Sequence, residues 1–198
     1  MTQFKGKEKL IGMMDVFNGR ITSSGFESGD RIVVGAWKES PFGEFTDIMW
    51  AKPDGERILI APSQEVADYV DAMYSFDQII IEDITIHYEG SSLSVDCKAM
   101  QLEFAWNRGF PIPFKRSLFF IATVELFFAK LFFGTRTHGV TKNHRKEWYA
   151  IDRVSKITKA DAIISGQSAG RISPMKEPCR FGFSEAPKKP SSCEVRTH

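Results

Sequence analysis

Apolar positions along this chain recur mostly at every second residue. In EFTDIMWA, Glu44 to Ala51, alternation sets Phe45, Asp47 and Met49 on one face and Thr46, Ile48 and Trp50 on the other, which predicts a strand. Lys52-Pro53-Asp54-Gly55 follows with turn chemistry, and Arg57 to Ala61 reads as a second strand. Proline presets φ, aspartate caps the turn and glycine accepts positive φ, so the pair predicts a hairpin. The spacing then changes. After Pro62-Ser63, Val66, Ala67, Val70 and Met73 recur at helical intervals through Tyr74, with Ser63 placed as N-cap.

The β pattern returns beyond this helix. Phe76 to Tyr88 and Leu93 to Trp106, joined by Glu89-Gly90-Ser91-Ser92, predict a second long, curved hairpin. Thr135 to Thr141 and Lys146 to Ile157 predict a third, and Lys159 to Ser168 a further strand. Gly29 to Trp37 precedes the first hairpin, with Val16 to Thr22 as its partner. Arg180 to Ser184 could close an edge. The expected organisation is a single β-rich domain over residues 1–186 and an extended or flexible tail over 187–198, where Pro187, Pro190 and serines gather.

One stretch breaks the pattern. SLFFIATVELFFAKLFFG, Ser117 to Gly134, places Phe120, Val124, Phe127, Phe128 and Leu131 on one helical face, while Phe119 and Leu126 keep the other side apolar. A helix apolar nearly all round is buried or membrane-associated. Glu125 and Lys130 inside the run, and its shortness against the ~20 residues of a span, argue for a core helix packed on a sheet, with a pocket wall or an interfacial helix as the alternatives. The fold class is therefore α+β: a mostly antiparallel curved sheet or β-barrel with two helices, one Phe-rich and buried. A barrel of about ten strands has room for a ligand inside.

Composition supports a folded chain: 42% hydrophobic, 26% charged, and 17 phenylalanines among 198 residues. The net charge of +1 gives no field to attract nucleic acid. The three cysteines are widely spaced and form no CxxC pair, and no histidine pair has ligand spacing, so no metal is implied. No cofactor is implied either, because phosphate-binding glycine loops and the GxSxG elbow are absent. The N-terminal stretch does not read as a secretory signal, so a reducing cytoplasmic location is expected. A Cys179–Cys193 disulfide is correspondingly disfavoured.

Three residues stand out for proton transfer. Asp47 shares its face with apolar neighbours, and burial there would raise its pKa. Structural networks perturb carboxylates as well, so a rim or backbone-bonded aspartate is the plainer account. Glu103 in MQLEFAW poses the same question, and Arg108 and Arg136 flank the apolar segment as partners for it or for Glu125. His138, between Thr137 and Gly139, is the histidine placed for acid–base work. RTHGVTKNHRKEWY adds cations and aromatics, Trp148 among them, as a hairpin with a solvated tip.

The stretches SPFGEFTDIMWAKPDGERILIAP, GTRTHGV…KEWYAID and CRFGFSEAP resemble a family of bacterial proteins with no assigned activity. The chain order and apolar content are also loosely similar to acetoacetate-decarboxylase-like barrels. That resemblance implies a lysine with a depressed pKa beside another cation, able to form a Schiff base. This sequence departs from the pattern. Lys188 and Lys189 lie in the proline-flanked tail, and Lys98, which could face inward, has no lysine neighbour.

The leading expectation is a protein that binds an apolar or amphipathic small molecule in a barrel-like cavity. Phe119, Phe120, Phe127 and Phe128 would bury it, and Arg108, Arg136 or Glu103 would fix its polar end, with Trp148 nearby. The competing expectations are an enzyme using Asp47, Glu103 or His138, and a membrane-surface or partner-docking protein acting through the Phe-rich helix. Oligomeric state is left open.

Overall fold

The structure is a computed structural model, which describes residues 16–111, 138–140, 146–182 and 185–197. The Phe-rich segment, with Phe119, Phe120, Phe127 and Phe128, lies outside the described residues, as does Arg136. So does the second expected helix.

The described chain is mostly strand. β1 (Phe17–Phe26) and β2 (Arg31–Glu39) form a hairpin, and β3 (Phe45–Ala51) and β4 (Arg57–Ala61) continue it antiparallel. The β3–β4 turn has the expected chemistry. Gly55 sits at φ +94°, its amide donates to the Lys52 carbonyl at 3.0 Å, and Asp54 accepts from the Glu56 amide at 3.0 Å. Helix α1 (Gln64–Met73) then starts at Ser63, whose hydroxyl accepts from the Val66 amide at 3.3 Å. Val66, Ala67 and Val70 are its buried face.

Two expectations change after α1. The helix carries the chain back along the sheet, so β5 (Gln78–Ile81) joins β4 in parallel and the sheet is mixed. The run Leu93 to Trp106 divides at residues 97–99 into two strands, and the run Phe76 to Tyr88 divides likewise. The latter breaks at residues 82–84, where the Glu82 carboxylate accepts from the Ala99 amide at 3.1 Å. The next strand, β6 (Thr85–Glu89), starts the meander β6–β7 (Ser92–Asp96)–β8 (Met100–Trp106). Lys98 lies exposed in the turn between β7 and β8 and does not face inward.

A short β9 (Phe110–Pro111) and β10 (His138–Val140) pair with one long strand, β11 (Lys146–Ile164). β11 absorbs the expected strand Lys146 to Ile157 and the first part of Lys159 to Ser168, the rest of which turns back at residues 165–166. Register shifts at Ile151/Arg153 and Ile157/Lys159 bend it, so that its first half pairs with β14 (Ser191–Thr197) and its second with β8. β12 (Gln167–Ser168) and β13 (Ile172–Ser173) are short additions on β11 and β1. Arg180 to Gly182 form no strand, and Arg180 takes φ +59°.

The main path runs β5-β4-β3-β2-β1-β14-β11-β8-β7-β6. Consecutive strands β5 and β6 thus occupy the two opposite edges, three residues apart in the chain, which requires the sheet to curl. The segment expected as an extended or flexible tail is extended in a particular way: β14 is hydrogen-bonded on both sides, between β1 and β11.

The curl explains the burial. On the concave side Ile32, Val34, Ile48, Ile58 and Ile60 meet Leu93, Val95, Leu102 and Phe104 in one cluster, each at most 1% exposed. Side chains therefore fill the concave side among the described residues. The convex side of β2 to β4 is covered too, by α1 and by the segment around Met175, Cys179 and Phe181. That makes β3 a strand buried on both faces, and it puts Asp47 under the helix.

Candidate functional site

Asp47 lies on the convex face of β3, directly across from Gly35 of β2. It is 2% exposed. The indole N–H of Trp37, two residues along β2, donates to Oδ1 at 2.9 Å. Glycine at position 35 is what lets the two side chains meet. A Cβ there would lie 2.5 Å from Asp47 Oδ1 and 2.8 Å from Trp37 Nε1.

Helix α1 roofs this pair with Tyr69, Val70 and Met73, and Tyr74 follows at its end. Phe17, Val33, Phe45 and Met49 complete a crevice with a cavity of about 50 Å³. Beside it Phe17, Trp37, Phe42, Phe45 and Tyr69 interlock. Phe17 and Trp37 are edge-to-face at 5.4 Å, and Phe42 and Tyr69 at 4.9 Å. Burial pushes the Asp47 carboxyl up to about 7, and the Trp37 N–H bond opposes part of that rise. No cationic side chain is among the causes, so Asp47 carries a carboxyl in an apolar crevice without a counter-charge among the described residues.

A second polar group lies on the other side of the sheet. Arg20 of β1 is directed to the concave face, where its guanidinium stacks 4.6 Å from the Trp106 ring centroid. It donates to Ser192 Oγ at 3.0 Å and to Glu194 Oε1 at 2.5 Å, both on β14. Ser192 Oγ also pairs with Thr22 Oγ1 at 2.9 Å, and Arg153 reaches Glu194 at 3.5 Å. Tyr88 belongs to this end of the sheet. Burial raises its pKa, Arg20 opposes the rise, and Glu44 adds to it. These charges satisfy one another and tie β14 to its neighbours.

The described residues among those singled out from the sequence lie apart from one another. Glu103 is exposed because Leu102, Phe104 and Trp106 take the inward positions of β8, and it pairs with Lys159 at 3.5 Å. Arg108 is exposed beyond β8, and its carbonyl accepts from Arg153 at 3.2 Å. His138 and Trp148 are backbone partners in the β10–β11 ladder, away from Asp47 in the strand order. Among the described residues of that set, Asp47 alone lines the crevice. Gly35, Trp37 and Arg20 were not singled out. Their signal is cross-strand register, which one strand's pattern does not contain.

The cysteines offer no nucleophile near neutral pH. All three are free, and burial pushes Cys97 and Cys193 up to about 11 and Cys179 up to about 12. No described helix is long and apolar enough to cross a membrane.

No protein-family model and no curated protein matches the chain. Among solved structures, a crystal structure of acetoacetate decarboxylase from Legionella pneumophila is similar at a TM-score of 0.42 and 9% identity, over 92% of this chain and 81% of that one, a loose fold-level likeness.

Proposed function

We propose that the protein binds a small amphipathic molecule in the crevice between α1 and the convex face of β1 to β3, with the polar end of the ligand at Asp47. The observation that carries this reading is a carboxyl group 2% exposed, held by an indole N–H, in an aromatic-walled crevice with no counter-charge among the described residues. Burying such a group is unfavourable unless it is hydrogen-bonded, neutralised or put to use. Small-molecule sites have this composition: mostly apolar walls and a few convergent polar groups.

The cavity of about 50 Å³ accepts a head group of a few atoms and no ring. The tail of the ligand would lie along Met73 and Tyr74, both half-buried at the crevice. This moves the seat of the expected ligand from the concave interior, which is packed among the described residues, to the opposite face of the sheet. The test is mass spectrometry of the protein purified from cells, native and then denatured. Wild-type protein is expected to release a near-stoichiometric small molecule, and Asp47→Asn to arrive empty. A molecule retained equally by both would place the site elsewhere.

A second reading has its own support. A carboxyl with a pKa of about 7 is poised to give and take protons at neutral pH. Under that reading Asp47→Asn keeps the ligand and abolishes its turnover.

A further inference from the structure

We propose that the polar end of the ligand is a small organic cation of the alkylammonium type. This inference rests on the reading of the Asp47 crevice as a ligand site. Three features of the crevice select that charge.

Among the described residues Asp47 is the sole carboxylate, lysine, arginine or histidine lining it. The described residues provide no cation to neutralise it, so a ligand that brings one completes the pair. A ligand carboxylate would meet a like charge, or would have to share a proton with Asp47. The second feature is the wall. Ring faces attract cations through their quadrupole, and most strongly where water is excluded. Phe17, Phe45 and Tyr69 supply aromatic rings to that wall, while Trp37 turns its N–H edge to the carboxylate. The third feature is size, because the cavity of about 50 Å³ matches a head group of a few atoms better than a planar guanidinium with its five donors.

Binding by charge pairing has a proton signature. Near neutral pH part of the Asp47 population carries a proton, and a cation selects the ionised form, so each such binding event releases that proton to solvent. The other titratable side chains lining the crevice among the described residues are Tyr69 of α1 and Tyr74 just past its end. The residues lining it from β1 and β2 are apolar apart from the Trp37 indole, which does not titrate. The affinity for a cation therefore rises with pH through the range in which Asp47 ionises.

The test uses the full chain, labelled with ¹⁵N, and follows the Trp37 indole N–H resonance. The probes are n-butylammonium, n-butanoate and butan-1-ol, which share a tail and differ in the head. Butylammonium is expected to shift the resonance saturably, about tenfold more tightly than either of the others at pH about 8. Its affinity is expected to fall about tenfold between pH about 8 and pH about 6, as Asp47 takes up its proton. Asp47→Asn is expected to remove the preference for the cation, and the wild-type pH dependence stands as the test if that variant folds poorly. Equal binding of butanol or butanoate would overturn the cation and leave the crevice as a ligand site. No shift with any of the three would overturn both.

Discussion

Asp47 and Glu194 are acidic residues on strands of one sheet, and they are treated in opposite ways. Glu194 keeps 43% of its side chain exposed and sits between two arginines, Arg20 at 2.5 Å and Arg153 at 3.5 Å. Asp47 is 2% exposed, lies among aromatic rings and, among the described residues, has one side-chain donor, the Trp37 indole. The Glu194 group is complete in itself: both arginines pair with its carboxylate, and it joins β1, β14 and β11. The Asp47 group is incomplete. An unmatched carboxyl under a helix is a state that a ligand or a proton improves, and that difference makes the crevice the functional candidate and the arginine cluster a structural one.

The largest expected effect comes from removing the charge at Asp47. Its pKa is raised in the folded state from an ordinary 3.8 to about 7. The folded protein therefore binds more protons than the unfolded chain between those values, and stability falls as pH rises from about 4 to about 7. Asn is close in shape and keeps an oxygen for the Trp37 N–H. Asp47→Asn is expected to match wild type below pH about 4 and to exceed it by about 4 kcal/mol above pH about 7. Urea titrations across that range check it, and equal stability at every pH would break the contrast with Glu194.

The next effect tests the close approach that builds the pair. Gly35→Ala places a Cβ 2.5 Å from Asp47 Oδ1 and 2.8 Å from Trp37 Nε1. It should destabilise the fold by about 2 kcal/mol and release the Trp37 N–H from its partner. A folded variant with an unmoved indole resonance would show that the pair does not depend on this glycine.

Arg20→Met keeps length and apolar contact over Trp106 but removes the charge. It should cost about 1 kcal/mol in thermal or urea unfolding, because a hydrogen-bonded cation is lost from a part-buried position. Glu194→Gln, on the exposed side of the same cluster, should change stability by less than ~1 kcal/mol. Neither is expected to affect ligand retention. Loss of a bound molecule in Arg20→Met would move the functional site to the concave side.

The parts of the molecule that local pattern controls were legible. The β3–β4 hairpin needs Pro53-Asp54-Gly55, α1 needs Ser63 and its apolar stripe, and Asp47 shares a face with Phe45 and Met49, all read from neighbouring residues. The parts controlled by distant partners were not. Ser191 and Ser192 look like tail residues, yet both are buried in the middle of the sheet, where Thr22 and Arg20 meet Ser192. The break at Glu82 depends on the Ala99 amide 17 residues on. In MQLEFAW the alternation sets Met100, Leu102, Phe104 and Trp106 against Glu103, a signal for an outward Glu103 that the reading of it as a buried carboxylate passes over. Gly35 and Trp37 become part of the site through the register of β2 on β3, a relation between strands.

The most direct measurement is a pH titration of the Asp47 carboxyl carbon by ¹³C NMR in the ligand-free protein. The account predicts a midpoint near 7, set by burial without a counter-charge. A midpoint near 4 would mean that water or a cation already attends the group, and the crevice would then offer a ligand nothing that it lacks.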